Sequence, residues 1–344
     1  MQANFHPDGP RLLADIGGTN ARFALERAPC QLGAVRNLAC ADYPRFEDAV
    51  EAYLAGVGIQ VRHAAVAIAN PVDGDAIRMT NHDWAFSTAL AARELGLDTL
   101  LMVNDFTALA MSLPALGADA TVQVGGGAAR HGCAIGLVGA GTGLGVSGLV
   151  PTADGSWTPL HSEGGHVSFS PVDAREAAVL HHCWERYEHV SAERLVSGPG
   201  IALIREGLAA GRDMRVVPLP TAEIVTRGLA GADPLCVETL DCFAGMLGTV
   251  AANLAVTLGA RGGIYIGGGV VPRLGSWFAQ SPFRARFENK GRFSAFMAAI
   301  PTIVITAPCP ALAGASRMLA AHLDGRGAAR ASAAVPRESV HVHA

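Results

Sequence analysis

The sequence predicts an α/β protein with two domains, on three observations. The chain has 344 residues, and a chain of this length usually folds around more than one hydrophobic core. Apolar segments of strand character alternate with segments of helical periodicity, which is the pattern of helices packed on sheets. Three of the predicted strands lead into glycine-rich turns, at 17–20, 139–145 and 267–269. Such turns let a ligand approach the backbone closely.

Composition excludes several classes of protein. Hydrophobic residues make up 50% of the chain, charged residues 16%, and the formal net charge is −4, so there is no general attraction for nucleic acid. No apolar run is predicted to reach the length of a membrane span, and residues 1–10 do not resemble a signal peptide. Seven cysteines without a C-x-x-C pair indicate reduced thiols. We therefore expect a cytoplasmic protein that binds neither membranes nor nucleic acid.

The first predicted strand, 11–16, carries a carboxylate near its end. Asp15 precedes the turn Gly17-Gly18-Thr19-Asn20, after which the chain returns as a second strand. Turn chemistry accounts for the glycines and the asparagine. It does not account for Asp15, whereas a metal-bound phosphate would explain both the carboxylate and the turn.

Two polar residues follow a later strand, predicted at 99–104 after a helix at 46–57 and a strand at 63–69. Asn104 and Asp105 stand at its carboxyl end, where open α/β sheets bind ligands, and a helix follows at once. Aspartate at a helix start is also a favourable N-cap. This stretch alone favours Asp105 as a cap over Asp105 as a functional group.

The central glycine-rich stretch, 136–148, has six glycines and Thr142 in its middle. Inward-facing N–H groups would form an anion-binding nest there, but a tight hairpin in a buried sheet fits equally well. Residues 143–148 match the dinucleotide pattern G-x-G-x-x-G. The chain continues as a strand instead of a helix, which argues against a nicotinamide cofactor.

The second half of the chain holds polar residues that have ordinary explanations when each is taken alone. Glu163-Gly-Gly-His166 reads as a polar loop, and Glu193 as a surface charge on a short helix. His181, His182 and His189 lack the further ligands of a metal site and are interpreted as a solvated or partly buried face. The remaining predicted elements are a long apolar helix at 234–258, a strand at 263–266 leading into Gly267-Gly268-Gly269, a strand at 302–307, a helix at 311–323 and a disordered tail from 324.

Seven stretches resemble, in order, the motifs of the bacterial glucokinase family. They are Leu13-Ala-Asp-Ile-Gly-Gly-Thr-Asn-Ala-Arg22, Met79-Thr-Asn-His-Asp-Trp-Ala-Phe-Ser87, Val103-Asn-Asp-Phe-Thr-Ala108, Gly139-Ala-Gly-Thr-Gly-Leu-Gly145, Glu163-Gly-Gly-His166, Ala192-Glu-Arg-Leu-Val-Ser-Gly-Pro-Gly200 and Gly267-Gly-Gly-Val270. The family belongs to the actin, hexokinase and Hsp70 ATPase superfamily. The resemblance therefore implies a two-domain actin-like ATPase (ribonuclease H-like) fold with an interdomain cleft. The expected domains are a small one, 1–115 with 305–324, and a large one, 116–304, with dimer-forming helices, before a disordered tail at 325–344.

The resemblance also implies roles for the polar residues. It implies ATP-dependent phosphorylation of D-glucose at the 6-hydroxyl, with Asp105 as the catalytic base, in a homodimer. The residues it implies for the sugar are Asn104, Asp105, Glu163, His166 and Glu193. Those it implies for the nucleotide are Gly17, Gly18, Thr19, Asn20, Gly141 and Thr142 at the phosphates and Gly268 and Gly269 at the adenosine. Mg²⁺ would be held mainly through the ATP phosphates, with Asp15 reaching it through water.

Alternatives stay open at this point. Kinases for acetate, glycerol or another hexose share the superfamily fold, and Glu163, His166 and Glu193 favour a hexose without choosing glucose over mannose or fructose. The related repressor, open-reading-frame and kinase family carries a cysteine-rich zinc motif, which is missing after His166, so we expect no zinc. A non-catalytic sugar sensor is disfavoured, because few residues precede the first strand for a DNA-binding helix and Asp105 is present.

Overall fold

In a computed structural model of the protein, residues 5–333 are described, with side chains up to residue 325. The strands are β1 (Arg11–Ile16), β2 (Asn20–Ala28), β3 (Gln31–Ala39), β4 (His63–Ile68), β5 (Ala76–Arg78), β6 (Ala85–Ser87), β7 (Thr99–Asn104), β8 (Thr121–Val124), β9 (Ile135–Ala140), β10 (Leu144–Pro151), β11 (Trp157–Pro159), β12 (Ile264–Gly267) and β13 (Thr302–Ile305). The helices are α1 (Phe46–Val57), α2 (Thr88–Glu94), α3 (Asp105–Ser112), α4 (Ala174–Trp184), α5 (Ala192–Leu195), α6 (Gly198–Ala210), α7 (Thr221–Leu229), α8 (Pro234–Leu258), α9 (Val270–Leu274), α10 (Trp277–Gln280), α11 (Phe283–Glu288), α12 (Ser294–Ala298) and α13 (Pro310–Ala333).

The chain divides into two compact units. The first unit comprises the residues up to Pro114 together with those from Cys309 onward, and the second comprises Ala115–Pro308. Each unit is an α/β structure with its own sheet, which agrees with the fold class that the sequence predicts.

The first unit is built on a sheet of strand order β3-β2-β1-β4-β7. Strands β1, β4 and β7 are parallel, and β2 and β3 are antiparallel to their neighbours. Alternate residues of β1 point to opposite faces, as the period of a strand requires. Leu12 packs with Phe46 and Tyr53 of α1, whereas Leu13 packs with Leu312 of α13. Apolar cores therefore cover both faces of this sheet.

The second unit is built on a sheet of order β11-β10-β9-β12-β13-β8, with β9, β12 and β13 parallel. Helix α8 lies in the core of this unit, and its glycines permit close packing. A Cβ on Gly248 would lie 2.5 Å from the carbonyl oxygen of Phe283 in α11. Glycine at this position therefore lets the two helices approach each other.

Helix α8 also corrects one expectation from the sequence. By length and composition it is able to cross a membrane, with a mean hydropathy of 1.4 over its most apolar window. Of that window, 72% is buried inside the protein. A helix enclosed by its own core is apolar on most of its faces, and this accounts for its composition.

The last helix differs from the prediction as well. Helix α13 continues to Ala333, past the boundary at 324 where the sequence predicts a disordered tail. Residues 325–333 are rich in alanine and arginine, which are strong helix formers, so the preceding helix extends through them. The rest of the predicted tail, 334–344, lies outside the described residues.

Candidate active site

The parallel strands of the first unit bring its predicted site residues to one edge of the sheet. Ile68 at the end of β4 is paired with Ile16 of β1 on one side and with Asn104 of β7 on the other. The carboxyl ends of these strands therefore lie side by side. Asp15 with the turn after it, and Asn104 with Asp105, occupy this edge.

Asp15 faces a single arginine across the hairpin. It is paired in register with Arg22, and Arg22 Nη1 lies 3.5 Å from Asp15 Oδ2. Burial raises the pKa of Asp15, and the Arg22 guanidinium partly offsets that rise. A divalent cation at this carboxylate would favour its ionised form further, so the residue type fits the predicted metal side of the site.

The turn after Asp15 is held by one bond within the turn and by bonds to Cys40 and Asn37, which are more distant in the sequence. Its Gly17 N–H donates to the Asn20 carbonyl (3.0 Å), and the Cys40 N–H donates to the Thr19 carbonyl (2.9 Å). The Asn20 amide oxygen accepts from Asn37 Nδ2 of β3 at 3.0 Å. These bonds fix the conformation of the hairpin tip.

The junction of β7 and α3 overturns the prediction that Asp105 is the helix cap. Asn104 is the N-cap, with extended backbone and with its Oδ1 accepting the Thr107 N–H at 3.0 Å. Asp105 is the first residue of the helix. Its Oδ1 accepts the Phe106 N–H at 2.8 Å and lies 3.3 Å from Asn104 Nδ2. Because asparagine caps as well as aspartate does, the carboxylate of Asp105 is not needed for helix initiation.

The glycine turns of the second unit also meet at one sheet edge. Gly139 of β9 is paired in parallel with Gly267 of β12, so Gly141 and Thr142 leave the sheet beside Gly268 and Gly269. The Gly141 carbonyl accepts the Gly198 N–H at 2.8 Å, which ties this hairpin to the start of α6. The four residues predicted for the nucleotide in this unit are thus brought together.

The glycines fall into two groups when the space around each is compared. Gly268 has a φ of +80°, and a Cβ there would lie 2.7 Å from the Ala140 carbonyl carbon. A Cβ on Gly18 would lie 2.6 Å from Asn81 Cβ. Around Gly141 and Gly269, by contrast, a Cβ would meet nothing within 4 Å. The protein itself explains glycine at the first two positions, whereas open space at the others leaves room for a ligand against the backbone.

Of the three residues predicted for the sugar in the second unit, the two glutamates flank the third, His166. His166 Nδ1 lies 3.9 Å from Glu163 Oε2, and His166 Nε2 lies 3.8 Å from Glu193 Oε1. The side chains of His166 and Glu163 are 62% exposed and that of Glu193 is 35% exposed. These separations exceed hydrogen-bond length, so neither pair is directly hydrogen-bonded and both partners can bond to a ligand group that lies beside them.

Glu193 has a second role that the sequence does not predict. Its Oε2 accepts the N–H of Leu144, the residue just after the central glycine turn, at 2.9 Å. A Cβ on Gly143 would lie 3.1 Å from Glu193 Cδ, with the carboxylate oxygen closer still. Glu193 is therefore no free surface charge, because one of its oxygens holds the glycine turn while the other faces His166.

Two supporting residues were missed from the sequence. His189, interpreted as part of a polar face, donates from Nε2 to the His166 carbonyl at 3.0 Å and so holds the turn of the sugar set. Asn70 follows β4 and contacts both Asn104 and the loop after β5. Its place directly after a strand was the available signal. Within residues 5–333, no group of three or more histidine, cysteine, aspartate or glutamate side chains is arranged to hold a metal ion.

Comparison with known proteins identifies the family. A family model described as glucokinase matches residues 12–322. The chain belongs to the glucokinase family. It is 56% identical over 338 residues to the bifunctional protein glk of Burkholderia thailandensis, covering 98% of this chain and 52% of that protein. It is 53% identical to a glucokinase of Chromobacterium violaceum, covering 92% of this chain and 91% of that one.

A solved structure supports the fold. The crystal structure of a glucokinase from an Antarctic psychrotroph matches with a TM-score of 0.83 at 35% identity, covering 92% of this chain and all of that one. The predicted family and fold class are thereby confirmed. The chain spans about half the length of the first bifunctional relatives that it matches. Membership of the family therefore leaves the activity of the whole protein to be proposed from the site.

Proposed function

We propose that the protein transfers the γ-phosphoryl group of ATP to the 6-hydroxyl of D-glucose. The observation that carries this proposal is the division of labour at the β7–α3 junction, where Asn104 caps the helix and Asp105 adds a carboxylate at the ligand-binding edge of the sheet. Membership of the glucokinase family supports the same reaction.

The sugar is proposed to bind through acceptors and amides. A hexose is neutral and rich in hydroxyl groups, each of which both donates and accepts hydrogen bonds. A hydroxyl beside the pair of His166 Nε2 and Glu193 Oε1, which are 3.8 Å apart, would accept from the imidazole N–H and donate to the carboxylate. Glu163 would bind in the same way, and Asn104 and Asp105 would bind further hydroxyls of the sugar.

The phosphates are proposed to lie against backbone N–H groups. The turn of Gly17, Gly18, Thr19 and Asn20 and the turn of Gly141 and Thr142 would receive them, and Gly268 and Gly269 would lie against the adenosine. The open space around Gly141 and Gly269 supports this assignment. When bound, ATP with Mg²⁺ supplies the transferable phosphoryl group and neutralises its charge. Asp15 would orient that metal through water, and no zinc is required.

In the proposed reaction Asp105 accepts the proton of the attacking hydroxyl. The hydroxyl oxygen forms a bond to the γ-phosphorus as the bond from phosphorus to the leaving oxygen of ADP breaks. Such a transfer depends mainly on positioning and on electrostatic stabilisation. The hydrogen bond from the Phe106 N–H to Asp105 Oδ1 (2.8 Å) orients the carboxylate, and its position against the hydroxyl would allow it to take the proton.

A panel of sugars tests this function. ADP release should be fastest with glucose and slower with mannose and fructose, should require added Mg²⁺ and should stop with EDTA. Faster ADP release with another hexose would make that sugar, and not glucose, the substrate. Binding of glucose without ADP release would favour the sensor, and about one zinc per chain by elemental analysis would contradict the zinc-free site.

We also propose a homodimer formed through helices of the second unit, on the resemblance to the family. Analytical ultracentrifugation at micromolar concentration should give twice the chain mass. A monomer at all concentrations would remove this proposal.

A further inference from the structure

We propose that Asn70 is a positioning residue that fixes the orientation of Asn104 and Asp105. The proposal rests on the function proposed above. Asn70 comes two residues after the end of β4, the strand between β1 and β7. Its own backbone is fixed there, because the Asn70 N–H donates to the Ile68 carbonyl at 2.8 Å and the Ala69 N–H donates to the Ile16 carbonyl at 3.2 Å.

The side chain of Asn70 is almost fully used in hydrogen bonds to one loop. Its Nδ2 donates to the Arg78 carbonyl at 2.6 Å. Its Oδ1 accepts from both the N–H and the hydroxyl of Thr80, each at 2.7 Å. Both acceptor positions and one of the two donor positions of an asparagine amide are thereby engaged. A side chain bound at three points has one orientation, so it locks the backbone of Asn70 against this loop.

That locked backbone contacts the proposed sugar residues. The Asn70 carbonyl accepts from Asn104 Nδ2 at 3.2 Å. The other end of the same amide, Asn104 Oδ1, is held by the Thr107 N–H as the helix cap. The amide is therefore fixed from both sides, and its Nδ2 lies 3.3 Å from Asp105 Oδ1. Asn70 thus acts on Asp105 through Asn104 and needs no contact with the sugar.

The loop held by Asn70 also reaches the first glycine turn. Asn81 follows Thr80 and packs so tightly on Gly18 that a Cβ there would lie 2.7 Å from the Asn81 carbonyl oxygen. One residue therefore connects, within the first unit, the edge proposed for the sugar with the turn proposed for the phosphates. A displacement of about 1 Å at a reacting group can lower the rate by about 10²-fold, so such a connection matters for turnover.

Hydrogen exchange tests the connection without requiring turnover. In Asn70→Ala, the amides of Thr80 and Thr107 should both exchange faster than in the native protein, because the loop and the helix cap loosen together. Faster exchange at Thr80 with native exchange at Thr107 would show that Asn70 braces only the loop, and would overturn the proposal. Since this readout is independent of catalysis, it stands even if no sugar is phosphorylated.

Kinetics supply the second readout. Asn70→Ala should lower kcat/KM for glucose by roughly 10–100-fold, mainly through a raised KM for glucose. The KM for ATP should rise by less, because Asn70 reaches the turn proposed for the phosphates only through the packing of Asn81 on Gly18. A loss of folded protein alone would lower kcat and leave both KM values unchanged. An unchanged KM for glucose in a fully folded variant therefore overturns the proposal.

Two milder variants keep the test decisive if Asn70→Ala does not fold. Asn70→Asp retains both acceptor bonds to Thr80 but replaces the bond to the Arg78 carbonyl by an unfavourable contact of two oxygens. Thr80→Val removes only the hydroxyl bond. Each variant should raise the KM for glucose by about two- to tenfold, which is less than the rise expected for Asn70→Ala. Each should also partly lose the protection of the Thr107 amide from hydrogen exchange. Native values for both measurements in both variants would overturn the assignment.

Discussion

At the scale of single residues, Asn104 and Asp105 divide two tasks that often compete for one side chain. A carboxylate that caps a helix is stabilised as the anion by the helix dipole and is bound to backbone N–H groups, which weakens it as a base. Here Asn104 takes the Thr107 N–H, so the cap does not depend on Asp105. Substitution of Asp105 should therefore affect chemistry more than folding.

Replacing Asp105 by asparagine tests this division. Asn104 still caps the helix, so the melting temperature of Asp105→Asn should stay within about 2 °C of native. The amide accepts no proton, so kcat should fall by roughly 10²–10⁴-fold, the usual contribution of a general base. Binding of ATP, measured calorimetrically, should be nearly unchanged. Near-native turnover would exclude Asp105 as the base.

Glu193 offers a test in which two functions of one carboxylate are separated. In Glu193→Gln the amide oxygen still accepts the Leu144 N–H, so the glycine turn stays held, but the group facing His166 becomes a donor. The KM for glucose should rise roughly tenfold or more, because a hydrogen bond to a charged group contributes about 1.5–3 kcal/mol. The KM for ATP should stay near native.

The matched variants of this test are Glu193→Ala and Glu188→Gln. The alanine variant also releases the Leu144 N–H and should raise both KM values. Glu188 is exposed on the same segment and lies outside the proposed site, so its substitution should change neither. Native glucose kinetics in Glu193→Gln would show that Glu193 has only a structural role.

At the scale of elements, the glycine turns show that glycine serves two purposes in one site. Gly268 is needed by the fold, because its φ of +80° and its contact with Ala140 exclude a side chain. Gly141 has ample space on the side where a Cβ would lie, and its backbone is outside the left-handed region. Neither the backbone conformation nor the packing of the protein therefore requires glycine at position 141, whereas close approach of the proposed nucleotide would.

Alanine substitutions at these two positions should therefore have opposite effects. Gly268→Ala should lower the free energy of unfolding by about 2–4 kcal/mol through backbone strain and overpacking. Gly141→Ala should leave it unchanged and raise the KM for ATP by roughly tenfold, about 1.4 kcal/mol. Denaturant melts and steady-state kinetics measure the two effects. Native ATP kinetics in Gly141→Ala would show that no phosphate approaches this turn.

At the scale of the whole molecule, the end of the chain returns to complete the first unit. Leu312, Ala315 and Leu319 of α13 cover one face of the sheet. The Ser316 hydroxyl donates to the fully buried carboxylate of Glu26 at 2.5 Å. The first part of α13 is thus an integral part of a core whose strands lie near the other end of the sequence.

Two deletions distinguish the core part of α13 from the end of the chain. Removal of residues 334–344 should not change kcat and should shift the melting temperature by no more than about 1 °C, because these residues include no leucine, isoleucine, methionine or aromatic side chain to bury. Removal of all residues from 310 onward should leave the first unit without one side of its core, so that this unit shows no cooperative melting. A clear loss of stability or of dimerisation on the shorter deletion would assign the tail a structural part.

The sequence alone determined the features that depend on neighbouring residues. Strand β1, helix α1, strand β7 and helix α8 begin and end where apolar periodicity and turn residues predict. The glycine turns and the family motifs could be recognised in the sequence, because the backbone conformation of a turn is set by a few neighbouring residues. The exposed edge strand β3 was not predicted, because without a buried face it has no apolar alternation.

Tertiary structure alone decided which group bonds to which. Glu193 and Leu144 are separated by 49 positions in the sequence, and Asn104 and Asn70 by 34. No local pattern records such a pairing, because the two partners meet only when parallel strands align in register and helices pack on them. The cap on Asn104, the divided carboxylate of Glu193 and the three-point hold of Asn70 follow from that alignment. The motifs and their spacing could single out candidate polar residues, but only the folded chain determines the hydrogen-bond partner of each.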